Sequence, residues 1–116
     1  MDDFDRPLNK RGRRAAATMG RWLAGHGPQP KLILCSAARR TRETLDLVLA
    51  AEAGRIPLHI EPGLYLAEAA ALLARLRQVP ADVASVLVIA HNPGLQELTA
   101  GLAAIPGAAS PDQRAQ

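Results

Sequence analysis

The stretch Ser85-Val-Leu-Val-Ile-Ala-His-Asn-Pro-Gly-Leu95 decides the predicted fold. The run 86–90 is apolar and β-branched without polar alternation, which predicts a strand buried on both faces of a parallel sheet. Asn92 is a good helix N-cap and Pro93 has the φ favoured at the first helical position, so the strand turns directly into a helix. His91 is therefore predicted to lie at the carboxyl edge of the sheet, where α/β folds bind ligands and helix N–H groups attract anions. The alternative to a ligand-binding role is that His91 is a capping or hydrogen-bonded histidine at a tight turn.

The composition is that of one modest globular domain. The chain has 116 residues, of which 48% are apolar and 3% aromatic, so the core must be built from Leu, Ala, Val and Ile. The single Cys35 excludes an internal disulfide, and its place in an apolar run predicts a buried, structural side chain. No apolar run is long enough to span a bilayer and the N-terminus is polar and acidic, so we expect a cytoplasmic protein without a membrane partner.

The basic residues are clustered in two places. The net charge is +3, from 14 basic and 11 acidic residues, and the clusters lie at 6–14 and 39–42. Such clusters occur in phosphate pockets, in nucleic-acid-binding surfaces and, most often, on solvated helix faces. Nucleic acid is an unlikely partner because the chain lacks aromatic stacking residues and a recognisable base-reading motif.

The first third of the chain predicts a helix followed by a second buried strand. Asn9 is placed to cap the helix, and Gly25 to Pro28 to end it. His26, between two glycines at that end, is interpreted as a surface cap without chemistry. The strand is predicted at 31–35. The apolar stripe of the helix is predicted from helical spacing to consist of Ala15, Met19, Trp22 and Leu23.

The next segments continue the alternation of helix and strand. A helix follows Ser36 and is closed by Gly54, a short strand covers 57–60, and a helix covers 67–77. His59 points away from the face of its strand neighbours, and a solvated edge position is favoured over a ligand role. The last helix runs from Pro93 to about Ala103. The helix after Ser36 is predicted to carry Thr41, Leu45, Val48 and Glu52 along one face, with Leu49 beside them.

The order α-β-α-β-α-β-α predicts a three-layer α/β/α fold with a mainly parallel sheet and right-handed crossovers. One domain is expected over 1–105, followed by a flexible tail at 106–116. In such a sheet the strand ends share one rim, so Ser36 and the 39–42 turn should meet His91 and Asn92 there. Guanidinium groups, helix N–H groups and an imidazole together favour a phosphoryl group. The three histidines lack metal-ligand spacing and no nucleophile-elbow sequence occurs, so neither a metal nor a cofactor is implied.

Three motifs resemble a known family in their order and spacing. The motifs are Arg6-Pro-Leu-Asn-Lys-Arg-Gly12, Ser36-Ala-Ala-Arg-Arg-Thr-Arg-Glu-Thr44 and Val86-Leu-Val-Ile-Ala-His-Asn-Pro93. They resemble the histidine phosphatase superfamily, which has the phosphoglycerate mutase-like fold, and above all its small bacterial phosphohistidine phosphatase branch. The resemblance covers residues 3 to about 103.

The resemblance implies a reaction and a set of site residues. Members of the family carry a nucleophilic histidine in an Arg-His-Gly or Arg-His-Ala motif at the end of the first strand, and this histidine is transiently phosphorylated. By position, Arg40 is the pocket arginine and His91 the second histidine that holds the phosphoryl group, whereas Arg39 is a neighbour or solvent-facing. Arg6 is placed near the pocket mouth. The implied substrate is a phosphorylated protein, above all one carrying phosphohistidine, or a small phosphate ester.

The chain departs from the family pattern at the position of the general acid. Mutase-like relatives place a glutamate general acid in the stretch that corresponds to 63–67, and no carboxylate stands there. Glu61 and Glu68 are only weak substitutes. This suits a leaving group that needs little protonation, such as the imidazole of phosphohistidine, better than a sugar alkoxide.

A second departure concerns the first strand and the closing strands of the family. The sequence begins where the nucleophile of the family would already have passed, and neither His26, His59 nor His91 can replace it. We therefore expect a fragment without turnover; the alternative is a non-catalytic phosphate-binding or protein-interaction module. The family's sheet places the strand 86–89 beside the absent first strand, so its edge is expected to be open to a strand from a partner.

Overall fold

The fold is an alternation of helices and parallel strands in a computed structural model that describes residues 2–26, 29–49 and 54–103. Two one-turn 3₁₀ helices, Asp3–Asp5 and Pro62–Leu64, supplement the longer elements. The longer elements are α1 (Lys10–Gly25), β1 (Leu32–Ser36), α2 (Arg39–Val48), β2 (Leu58–Glu61), α3 (Ala69–Arg77), β3 (Val86–Ile89) and α4 (Gly94–Ala103).

The sheet has the order β2-β1-β3, and both pairings are parallel. All five residues of the central strand β1 are buried, and Leu34 pairs in register with His59 on one side and Val88 on the other. Because side chains alternate along a strand, Ile33 and Cys35 pack beneath α1 and α2, whereas Leu34 packs against α3 and α4. The predicted three-layer α/β/α architecture and parallel sheet are confirmed.

The predicted apolar stripe of α1 is wrong for Ala15, Met19 and Trp22, which are exposed. The helix instead packs on α2 through Ala16 and Gly20. A Cβ at Gly20 would lie 2.9 Å from the carbonyl oxygens of both Leu47 and Val48, so the two helix backbones approach closely there. Alanine and glycine carry little hydrophobic signal, which is why the pattern pointed to the wrong face.

Several element boundaries differ from those predicted. The helix α2 ends at Val48, and the Leu49 N–H bonds the carbonyl oxygen of Leu45. Gly54 therefore does not close the helix; it lies in a turn before β2 with a φ of 80°. Glu52 and the tail at 106–116 lie outside the described residues, so their predicted roles and the domain limits stay predictions. The other helices start within two residues of the predicted positions: Asn9 caps α1, α3 begins at Ala69 and α4 at Gly94.

The two outer strands are less buried than β1. His59 on β2 is exposed, as predicted, but Leu58 and Ile60 are also 43% and 45% exposed. On the other side, β3 pairs only with β1 among the described residues, and only Ile89 of its four residues is fully buried. The strand was therefore predicted correctly, whereas its burial on both faces was not, because one edge has no neighbouring strand in the described part of the chain. Over the same residues, no helix has the length and apolar character needed to cross a membrane.

Candidate functional site

Side chains from five segments meet at the carboxyl rim of the sheet. Ser36 is the last residue of β1, Arg40 lies in the first turn of α2, and His91 follows β3. Asp3 comes from the N-terminal 3₁₀ turn and Tyr65 from the loop after β2. Parallel strands bring these ends together, as the sequence pattern predicts for Ser36, the 39–42 turn and His91.

His91 is held between a serine and an arginine. It is only 7% exposed, its Nε2 lies 2.8 Å from Ser36 Oγ, and its Nδ1 lies 3.3 Å from Arg40 Nη2. A guanidinium can only donate, so Nδ1 must present its lone pair to Arg40, and Nε2–H must donate to Ser36. Ser36 Oγ is fully buried and also accepts from the Ala38 N–H at 3.3 Å. The two contacts fix one tautomer and one orientation of the ring.

The surroundings of His91 oppose its protonation. Burial lowers the pKa of the imidazole, and the positive charge of Arg40 lowers it further. Two donors would also face each other if Nδ1 carried a proton beside Arg40. The imidazole is therefore neutral at neutral pH, with its Nδ1 lone pair turned toward the guanidinium.

Arg40 is the cation at the centre of the site. Its side chain is 17% exposed, and it donates to the Asp3 carbonyl oxygen at 2.8 Å and to Asp3 Oδ2 at 3.1 Å. Asp3 also accepts from Tyr65 Oη at Oδ2 and from Arg6 Nη2 at Oδ1, the latter at 2.9 Å. Bonds from Tyr65, Arg6 and Arg40 lower the pKa of Asp3 to about 2, so its carboxylate is ionised at neutral pH.

Tyr65 was not recognised as a site residue from the sequence. Its ring meets the His91 ring edge to face at 5.4 Å and the Phe4 ring at 5.0 Å, and Arg40 Cζ lies 6.0 Å from its centroid. The bond to Asp3 raises the pKa of the phenol. The available signal was that Tyr65, the only tyrosine of the chain, follows a strand on the same rim.

The other predicted site residues lie farther from His91. Arg6 reaches the site through Asp3, and its side chain is 60% exposed. Asn92 is exposed and accepts a bond from the Gln96 N–H, so it serves the start of α4. Arg39 faces solvent and pairs with Glu43 at 3.3 Å, as the resemblance implied.

Neither acidic residue considered as a substitute general acid contacts His91 or Arg40. Glu61 binds Arg75 with both carboxylate oxygens, at 2.7 to 3.0 Å, and this pairing lowers the pKa of the carboxyl. Glu68 is exposed at the start of α3. Within the described segments, no group of three His, Cys, Asp or Glu residues is arranged to hold a metal ion. Cys35 is fully buried, and burial raises the pKa of its thiol to about 11, which supports a structural role.

Two further features frame the site. Gly94, at the start of α4, lies against the Ala67 carbonyl, where no side chain could be accommodated. An apolar groove of about 460 Å³ runs from Arg40 and His91 along β3. Its apolar lining includes Met19, Leu23, Val48, Leu87, Ile89 and Leu95.

Sequence comparison identifies the family. The model of the histidine phosphatase superfamily (branch 1) matches residues 2–65. An uncharacterized protein of Mycobacterium tuberculosis is 36% identical over 106 residues, which are 90% of this chain and 64% of the relative. A chloroplastic uncharacterized protein of Arabidopsis thaliana is 34% identical over 105 residues, covering 82% of this chain and 48% of the relative. The chain thus spans less than two thirds of the length of these relatives.

Solved structures agree with this assignment. A protein from Nakamurella multipartitia assigned as the phosphohistidine phosphatase SixA superposes with a TM-score of 0.74 at 39% identity, over 84% of this chain and 55% of its own. A protein histidine phosphatase SixA complexed with tungstate gives a TM-score of 0.76 at 30% identity, over 91% and 68%. The strand-end geometry, the family match and these neighbours lead to one conclusion: the chain belongs to the histidine phosphatase superfamily and is similar to its SixA phosphohistidine phosphatases.

Proposed function

We propose that Ser36, Arg40 and His91 form a pocket for the phosphoryl group of phosphohistidine, or of a related phosphomonoester, in a phosphatase of this family. The observation that carries the proposal is the 3.3 Å approach of Arg40 Nη2 to His91 Nδ1, between residues 51 positions apart in the chain. A partly buried guanidinium beside an oriented imidazole is suited to bind the oxygens of a phosphoryl group. The tungstate complex of the SixA neighbour supports this proposal, because tungstate is a tetrahedral oxyanion like phosphate.

The pocket residues would have distinct roles. Arg40 would donate to phosphoryl oxygens in a fork. Ser36 would hold Nε2–H of His91, so that Nδ1 faces the anion. The negative charge of the phosphoryl group favours the imidazolium, so binding would raise the pKa of His91 and turn Nδ1 from an acceptor into a donor. The site would thus add a second cationic donor as the anion arrives.

The acid–base groups of the site favour phosphohistidine as the substrate class. Asp3 is ionised, with its pKa near 2, and Glu61 is held in its ion pair with Arg75. Neither is suited to protonate a poor leaving group such as an alkoxide. An imidazole leaving group needs less protonation, which supports phosphohistidine over a sugar phosphate.

The family reaction passes through a phosphohistidine intermediate on the enzyme, and we propose that this chain by itself binds the phosphoryl group without turnover. Of its three histidines, only His91 contributes to the site. His26 stacks on Trp22 at the end of α1, and its Nδ1 lies 2.8 Å from the Trp22 carbonyl oxygen. His59 is exposed on β2 with Nδ1 3.8 Å from Glu61. Neither supplies the nucleophile that the family reaction requires. We further propose that the natural ligand is a phosphorylated protein or a small phosphate ester and that the protein acts in the cytoplasm.

The proposed pocket is tested by titrating the chain with inorganic phosphate and with tungstate in a calorimeter. Arg40→Met is expected to weaken binding by about tenfold or more, because it removes a charge-assisted donor pair. Arg39→Met removes the same charge from the neighbouring exposed position and should change binding by less than about twofold. Equal losses for the two variants would refute the pocket. Sustained phosphate release from phosphohistidine or p-nitrophenyl phosphate that disappears in His91→Ala would refute the absence of turnover.

A second candidate function is pairing of the β3 edge with an apolar strand of a partner polypeptide. The observation that favours it is the groove along β3, whose lining is mostly apolar, together with the absence of charged residues from the strand itself. The β2 edge differs, because it carries His59 and Glu61. In the absence of a partner, the β3 edge should cause association at high concentration, measured by light scattering. Leu87→Lys should suppress it and Leu58→Lys on β2 should not; the reverse pattern would exclude this function for β3.

A further inference from the structure

The Asp3 carboxylate occupies the anion-binding side of the site. Its Oδ2 receives Arg40 Nη2 at 3.1 Å and the hydroxyl of Tyr65, and its Oδ1 receives Arg6 Nη2 at 2.9 Å. The carbonyl oxygen of the same residue accepts from Arg40 Nη1 at 2.8 Å. Both terminal nitrogens of Arg40 are therefore engaged by Asp3. These donors are of the types that bind phosphoryl oxygens.

The Asp3 carboxylate is itself an anion, and Asp3 occupies donors of Arg40 that a bound phosphoryl group would use. The three side-chain bonds hold the pKa of Asp3 near 2, so the residue carries a full negative charge at neutral pH. A phosphoryl group would need the same Arg40 donors. The carboxylate would also repel a phosphate dianion at this distance. A phosphoryl group that took the Arg40 donor now bonded to Asp3 Oδ2 would therefore displace the carboxylate.

The segment that carries Asp3 is suited to move. It is a 3₁₀ helix of a single turn, Asp3–Asp5, and none of its residues is buried. Apart from the bonds to Asp3 itself, the turn contacts the site through Phe4, whose ring meets Tyr65 edge to face at 5.0 Å. Two backbone bonds, from the N–H groups of Asp5 and Arg6, close the turn on itself and do not attach it to the sheet. Of the three residues of the turn, only Phe4 is partly buried, so displacing the turn would uncover no fully buried side chain of its own.

We propose that Asp3 is a built-in competitor of the phosphoryl group, which binds by displacing the Asp3 carboxylate and taking over its bonds from Arg40 and Tyr65. The inference rests on the proposed phosphoryl pocket and extends it in two ways. It assigns Tyr65 as a donor to the bound anion. It also makes the N-terminal turn a latch that is closed in the absence of ligand and released when the anion binds.

The test is the affinity for inorganic phosphate at low ionic strength and neutral pH, measured by calorimetry. Asp3→Asn keeps the side-chain shape and removes the competing charge, so the affinity should rise about three- to tenfold. Asp5→Asn changes the net charge equally, two residues away, where the carboxylate has no bond to Arg40 or Tyr65 among the described contacts. Its effect should stay below about twofold. Tyr65→Phe in the Asp3→Asn background should reduce the affinity again, by about threefold or more.

The outcomes separate this inference from the pocket itself. Equal effects of Asp3→Asn and Asp5→Asn would mean a general charge effect and would overturn the competition. No gain in Asp3→Asn, with binding still abolished by Arg40→Met, would overturn the competition and leave the pocket standing. An absence of phosphate binding in the wild type and in Asp3→Asn alike would overturn both. A gain confined to Asp3→Asn supports the latch.

Discussion

Replacing Ser36 by alanine tests the geometry on which the site depends. The hydroxyl oxygen is fully buried and accepts two bonds, from His91 Nε2 at 2.8 Å and from the Ala38 N–H at 3.3 Å. Alanine would leave both donors without this partner in a buried environment, since Ala38 is 0% exposed and His91 only 7%. An unsatisfied buried donor costs about 1–3 kcal/mol, and the longer bond contributes at the low end of that range. We expect Ser36→Ala to lower the free energy of unfolding by about 2–3 kcal/mol.

The matched control is Ser85→Ala, in which a partly exposed hydroxyl loses its bond to the Gln29 carbonyl oxygen at 3.2 Å. That change should cost about 0.5 kcal/mol or less. Urea denaturation gives both changes in the free energy of unfolding, provided that the slope of this free energy against urea concentration is the same in each variant. Nitrogen NMR of the His91 ring gives the tautomer: Nε2 should carry the proton in the wild type, and the preference should weaken in Ser36→Ala. Equal stability losses in the two variants, or a proton on Nδ1 in the wild type, would refute this account of the site.

Two further predictions concern proton binding and helix packing. The pKa of His91 should lie below its ordinary value of about 6.5 and should rise in Arg40→Met, as followed by proton NMR of the ring. With this lowered pKa, the unfolded chain binds a proton at higher pH than the folded chain does. The contribution of His91 to stability is therefore complete above about pH 6.5 and is lost as the pH falls through the folded pKa. A folded pKa above 6.5 would contradict the geometry. Gly20→Ala should lower the free energy of unfolding by about 1–3 kcal/mol, because the added methyl group pushes α1 away from α2. Gly25→Ala places its methyl group in open space, so it should be neutral or stabilising by up to about 1 kcal/mol; thermal unfolding measures both variants. A stabilising Gly20→Ala would show that the helices do not pack as described.

The sequence predicted those parts of the fold that local patterns encode. The apolar runs before Ser36 and His91 indicated parallel strands, and the topology of such sheets brings their ends together without knowledge of the connecting segments. For that reason the proximity of Ser36 and the 39–42 turn to His91 could be predicted, whereas the choice of Arg40 within that turn came from the family resemblance. The burial of β1 followed from the same run, since the strand lies between two others.

Other parts of the site depend on contacts that no local pattern encodes. Asp3 reaches Arg40 only because the N-terminal turn folds back across the rim, over a separation of 37 residues. Tyr65 joins them from a loop whose path is set by tertiary packing. The face of α1 was mistaken for a related reason: its contact with α2 depends on the small size of Gly20, and a glycine adds nothing to a hydrophobic pattern.

The contact between Gly94 and the Ala67 carbonyl links two arms of the rim mechanically. One arm carries Tyr65 and the other carries His91, and the backbones touch with no side chain between them to absorb a displacement. A displacement of Ala67 toward α4 would therefore press directly on the backbone that follows His91. The placement of the tyrosine that binds Asp3 and the placement of the histidine that faces Arg40 thus depend on one backbone contact.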